Sequence, residues 1–166
     1  MKNLRRVSNA VNNVVSYTGM ILFVILIFAC VAQVFFRFVL NNSLSWTEEL
    51  ARYCFIWMHM IGASLLIEAN GHATVTVILD LMHGAVRKVF DILIELIILF
   101  NGVVMLHSGW VLSYSSRNNL STAMSVPMWM INSSVAVGGL LLVFQALVRI
   151  AVVLAGEQTQ EGGEAQ

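Results

Sequence analysis

Nine acidic residues, nine basic residues and four histidines supply the ionic chemistry of this 166-residue chain. Several of them stand in stretches too apolar for a soluble surface. The densest group opens "SWTEELARYCFIWMH", residues 45–59, where Glu48, Glu49 and Arg52 lead into an apolar run that contains His59. Charges at membrane depth are costly and mark a pathway, a cofactor or a protein partner. His59 and His107 are a candidate haem pair, since imidazoles on neighbouring helices ligate iron. Their depths argue against it: at 1.5 Å per residue, His59 lies about 20 Å below the outer end of its helix and His107 about 9 Å below the outer end of its own. Asp91 and Glu95 lie one turn apart, and Glu95 alone could serve as the membrane carboxylate of a small self-contained exporter. No Ser/His/Asp, Cys/His or metal-ligand set converges, and there is no nucleotide loop, so no catalytic residue, cofactor or metal site is expected.

These residues need helices to position them. The chain is 58% hydrophobic and 11% charged, whereas soluble domains carry roughly 25% charged residues. A bilayer core about 30 Å thick takes about 20 apolar residues per helix, and four stretches qualify: 14–40, 46–67, 89–113 and 126–154. The expected fold is therefore an all-α integral membrane protein of four transmembrane helices. Lys2, Arg5 and Arg6 precede a run too long for a secretory signal, and no cleavage site follows it, so the first span is expected to be retained. Leu4, Val7, Val11 and Val14 recur at helical spacing among polar residues, giving either an N-terminal amphipathic surface helix or an extension of span 1. The connection from Glu68 to Lys88 is apolar in its middle and too short to cross, which predicts a short interfacial segment between spans 2 and 3. Residues 1–155 are read as a single four-helix membrane domain, and 156–166, "GEQTQEGGEAQ", as a disordered acidic tail. Cys30 and Cys54 both fall inside spans and are read as apolar fillers.

Net charge is zero, so nothing recruits nucleic acid; the partners expected are membrane lipid and protein. An even number of spans puts both termini on one side. Placing them in the cytoplasm leaves Lys2, Arg5, Arg6, Arg87, Lys88 and Arg149 inside and Arg37, Arg52 and Arg117 outside, as the positive-inside rule prefers.

Locally, Ser45 stands three residues before Glu48, the spacing of a capping box, and both acids lie where a helix N-terminus is partially positive. Arg37, across a short turn, is placed to pair with Glu48 or Glu49 and clasp the first two helices; the alternative is direct contact of these charges with another subunit. Positions 48, 52, 55, 59, 62 and 66 share one face of span 2, and that polar stripe should meet protein. Arg87 can pair with Asp91 at four-residue spacing. Pro127 falls in the first turn of span 4, where a helix tolerates it. Gly62, Ala63, Gly138 and Gly139 are small residues of the kind that let membrane helices approach closely.

Three stretches, "WTEELARY" beginning at Trp46, "IWMHMIGASLLIEANGHATVTVILD" with its pair Gly71 and His72, and "STAMSVPMWM" opening span 4, give the chain a resemblance to a known family. It resembles the small membrane subunit, the Q or DctQ type, of tripartite ATP-independent periplasmic (TRAP) transporters. Size and layout agree over almost the whole chain apart from the tail. Thr74 and Thr76 stand where the family often has a basic and then an acidic residue, so that loop lacks this charge pair. The resemblance implies a protein of the bacterial inner membrane that serves as scaffold and docking partner for a large multi-span transport subunit. It also implies a periplasmic substrate-binding protein that delivers an organic acid, such as a dicarboxylate, a sialic acid or another sugar acid, for uptake driven by a sodium gradient. The competing readings are a four-helix membrane anchor of a redox complex and the self-contained exporter.

Overall fold

The computed structural model describes residues 2–42, 44–68 and 85–154. Among the described residues its elements are four helices, α1 (Lys2–Phe38), α2 (Ser45–Glu68), α3 (Ala85–Ser115) and α4 (Met128–Leu154). All four are long and apolar enough to cross a membrane, as expected for chains that must satisfy every backbone group within the segment when no water is at hand. The expected interfacial segment, His72 and the acidic tail lie outside the described residues.

The helices form a row in the order α1, α2, α4, α3: α3 packs on α4, α4 also on α2, and α2 on α1, while α1 meets α4 only sparsely. The chain alternates in direction, so α2 and α4 both begin at the end of the bundle opposite the N-terminus, called the far end below. The other is the amino-terminal end.

Glycines set the tightest contacts. A Cβ on Gly109 would lie 2.4 Å from the Ala136 backbone nitrogen, and one on Gly139 would lie 2.5 Å from that of Leu106. The backbones of α3 and α4 therefore touch directly, the close approach that replaces hydrophobic driving force between membrane helices. Gly138 does the same toward α2, where a Cβ would meet the Met60 carbonyl at 2.9 Å. Gly62 differs: nothing among the described residues lies within 4 Å of its missing Cβ, so the expectation of close packing holds for Gly138 and Gly139 and not for Gly62 among those residues.

α1 is continuous from Lys2, so the N-terminal stretch extends span 1 and is not a separate surface helix. Its polarity is the reverse of a surface helix. Val7 and Val14 are exposed while Ser8, Asn12 and Val15 are buried. The Gln145 side chain of α4 donates to Asn12 Oδ1 and accepts from Ser8 Oγ at 3.4 Å. In lipid the apolar side chains lose nothing by facing out, and the polar ones gain by bonding another helix. α1 closes where Asn41 takes a left-handed conformation, φ 47°, and the Asn42 N–H returns to the Phe36 carbonyl at 3.1 Å; Asn tolerates this conformation better than most residues.

Candidate functional site

The site is built at the far end, from the first turn of α2 and the connection between α3 and α4. That connection, residues 116–127, folds back on itself. The Ser121 N–H donates to the Val126 carbonyl at 2.9 Å and the Met128 N–H to the Asn119 carbonyl at 2.9 Å, which pairs Leu120 with Pro127 as a single antiparallel bridge. Pro127 occupies the position of that pair that makes no ladder bond, so its missing N–H costs nothing. Its carbonyl then accepts from the Met130 N–H at 3.1 Å, starting α4. Ser125 takes φ 54°, and the chain reverses there.

Inside this turn sits the carboxylate of Glu49. Three successive backbone N–H groups donate to it: Thr122 to Oε1 at 3.1 Å, Ala123 to Oε2 at 3.1 Å and Met124 to Oε2 at 2.8 Å. The hydroxyls of Ser121, at 3.0 Å, and Thr122, at 3.2 Å, complete the cradle. The Ser121 hydroxyl in turn accepts from the Val126 N–H at 3.1 Å. Successive amides aimed inward form an anion-binding concavity, and bonds to an ionised acceptor are the stronger kind. The anion bound here is part of the protein itself, and Glu49 is only 8% exposed. Small side chains at 121–123 let the backbone close around it. One turn on, the Tyr53 hydroxyl reaches the Met128 sulfur at 3.9 Å, so the two segments meet twice.

The other charges of the cluster part company with Glu49. Glu48 pairs with Arg52 at 3.0 Å, both side chains 62% exposed. Its carboxylate is engaged by the next turn, and among the described residues no Ser45 capping box forms; the Thr47 hydroxyl instead donates to the Leu44 carbonyl at 2.7 Å. The Arg37 guanidinium lies over the Phe38 ring, 5.8 Å from its centroid. Among the described residues no ion pair joins it to Glu48 or Glu49, so the expected clasp between α1 and α2 is absent. The reason is that Glu49 points away from α1 toward α4, where fixed backbone donors satisfy it more fully than one flexible guanidinium could. Trp46 is 42% exposed. Farther down α2, His59 is exposed and stacked against Phe55, ring centroids 4.1 Å apart.

Toward the amino-terminal end, Glu95 is buried and its Oε1 meets Arg149 of α4 at 3.5 Å. Its Oε2 makes no hydrogen bond among the described residues. Asp91 is half-buried, and the expected Arg87 partner has its side chain outside the described residues. Among the described residues no three His, Cys, Asp or Glu side chains gather into a metal site. α4 lies between the helices of His59 and His107, so the two histidines do not face one another. Both cysteines are free, Cys30 exposed and Cys54 buried.

Sequence reasoning singled out Glu49 and, separately, the "STAM" stretch, and missed that one holds the other. No local spacing connects residues more than seventy positions apart. The available signal was topological: an even alternation of spans starts α2 and α4 at the same membrane face. Gln145, Asn12 and Ser8 were missed as well, because neutral polar residues in an apolar run carry no periodic signature.

The fold and these contacts define a multi-pass, four-helix membrane protein whose named polar groups tie helices together. Residues 26–156 match the family described as tripartite ATP-independent periplasmic transporters, DctQ component. The chain belongs to that family. It is 28% identical over 153 residues to the sialic acid TRAP transporter small permease protein SiaQ of Vibrio cholerae, covering 90% of this chain and 85% of that one. It is 25% identical over 121 residues to the C4-dicarboxylate TRAP transporter small permease protein DctQ of Rhodobacter capsulatus, covering 72% and 53%. A third similarity, 26% over 99 residues, is to the sialic acid TRAP transporter permease protein SiaT of Haemophilus influenzae, covering 60% of this chain and 16% of that one.

Proposed function

We propose that this chain is the small, non-catalytic subunit of a sodium-gradient-driven transporter that takes up an organic acid across the bacterial inner membrane. Its work is to scaffold a large multi-span transport subunit and to receive a periplasmic substrate-binding protein. The observation that carries the reading is the Glu49 cradle: two of the stretches by which the chain resembles its family, "WTEELARY" and "STAMSVPMWM", lock onto each other through one carboxylate. A charge spent on fixing one helix start against another is a charge withdrawn from solute handling. Gln145 and Asn12 are engaged in the same way. The proposed substrate class is a carboxylate, because relatives named for sialic acid and for C4-dicarboxylates resemble the chain about equally, at 28% and 25% identity. The amino-terminal end is assigned to the cytoplasm from the distribution of basic residues, with 1–155 as one membrane domain and 156–166 as its tail.

The test is uptake into proteoliposomes holding the large subunit, this chain and the binding protein under an imposed sodium gradient. Uptake is expected only with all three and only with the gradient. Uptake by this chain alone would overturn the scaffold reading and restore the exporter built around Glu95.

A further inference from the structure

Four of the six described helix glycines are consumed by contacts within the chain, those at 102, 109, 138 and 139, each with a neighbouring helix under 3.0 Å from its missing Cβ. Among the described residues, Gly19 and Gly62 have open space there, and of the two it is Gly62 that lies beside polar side chains. It sits on the stripe that also bears Glu48, Arg52, Phe55, His59 and Leu66, and this stripe points away from both α1 and α4. Phe55 is 49% and Leu66 61% exposed, and His59 is exposed between them. An imidazole about 20 Å from the far end of α2 and about 13 Å from its other end lies within the apolar layer, and intramembrane ionisable groups face protein or a water-filled cavity. A glycine beside it is what a second helix needs to come close.

The outer face of α3 is different in kind. Phe100, Trp110 and Tyr114 dominate it, at 71%, 71% and 62% exposure, the aromatic character of a face turned to lipid. Asn101 is exposed there as well, but the neighbouring Gly102 is already filled by Val143 of α4, which leaves no open glycine beside it for a second helix to approach. That face suits lipid.

We infer that the Glu48–Leu66 face of α2 is the surface on which a transmembrane helix of the large transport subunit docks, its backbone passing over Gly62 and a hydrogen-bond acceptor meeting His59. This inference rests on the reading of the chain as a small transporter subunit. The choice of occupant comes from the Haemophilus relative named as a permease, in which the segment shared with this chain fills only 16% of the length. There the remainder of the permease is tethered covalently to the shared segment, so the two are held in one membrane, where a helix-to-helix partnership can form. A second copy of this chain is the competing occupant, and the experiment separates the two.

The full chain is co-expressed with its large subunit, and both the yield of co-purified large subunit and the thermal stability of the small one are read. Gly62→Leu is expected to leave the isolated chain as stable as wild type, since the added side chain enters open space, and to cut co-purification at least tenfold. His59→Phe keeps the ring against Phe55 but loses the donor, and is expected to cut it several-fold. A photo-crosslinking residue at 55, 59 or 62 should label the large subunit, and one at 100, 101 or 110 should not. Wild-type yields from both variants, labelling confined to α3, or a product of twice this chain's mass would overturn the inference while leaving the family reading intact. Failure of the wild type itself to co-purify would overturn both.

Discussion

The far end and the amino-terminal end of the bundle are both held by polar groups, in opposite ways. At the far end one carboxylate gathers three backbone amides and two hydroxyls of the turn that leads into α4. At the amino-terminal end the Ser8–Asn12–Gln145 contacts join α1 to α4 through neutral side chains, and Glu95 meets Arg149 at 3.5 Å across α3 and α4. Backbone donors cannot rotate away or be substituted, so the cradle fixes a loop conformation as well as a helix pair. Side chains that bond one another fix only the approach of two helices, and lipid can take over part of that role.

If the contrast is right, Glu49→Ala is the most damaging single change. It removes the carboxylate that three amides and two hydroxyls share, and hydrogen bonds to a charged acceptor are worth more than neutral ones. Thermal unfolding in detergent should show at least twice the loss seen for any substitution at the amino-terminal end. Protease cleavage within 116–127 should appear at temperatures where wild type resists. Equal losses at both ends would dissolve the comparison. Glu49→Gln sharpens it: one oxygen remains to accept, but the amide nitrogen opposes N–H donors, so a loss close to that of alanine is expected.

Next in size is Gly109→Ala. The added carbon would lie 2.4 Å from a backbone nitrogen, which no side-chain rotation relieves, and overpacking of this kind costs about 1–3 kcal/mol or more. The expected result is loosening of α3 from α4 with the cradle intact, read by accelerated hydrogen exchange in residues 102–109 and unchanged protection at 122–124. Gln145→Leu comes third. It leaves Asn12 and Ser8 without their partner on α4, an expected loss of about 1–2 kcal/mol, and a substantial recovery in Gln145→Asn would show that a neutral polar contact suffices there. The smallest effect belongs to Arg52→Ala: its pair with Glu48 is exposed, and such pairs contribute under about 1 kcal/mol. A large loss of stability in that variant would mean that the charge acts inside the fold after all.

Much of this architecture was legible in residue order. Span number and limits follow from apolar runs, because a helix that must cross about 30 Å of hydrocarbon needs a fixed length of apolar side chains. The polar stripe on α2 follows from helical periodicity alone. What escaped was every pairing between distant elements. Arg37 looked like the natural partner of Glu49 because it is near in sequence and opposite in charge, yet α2 turns Glu49 toward α4 and leaves Arg37 beside Phe38. Val7 and Val14 of the N-terminal stretch looked like part of a membrane-surface face, yet they face outward from the bundle while Val15 is buried. An apolar stripe reports a helix face that avoids water without saying whether lipid or protein covers it.

By itself, then, the sequence determined four membrane helices, their order and the resemblance to a transporter subunit, since each of these depends on composition or local spacing. The tertiary structure alone decided which charge is buried and which glycines are filled. Those outcomes depend on the rotation of each helix about its axis, and that rotation is set by where two backbones can touch, at Gly109, Gly138 and Gly139, and by where a turn of free amides meets a carboxylate, at Glu49.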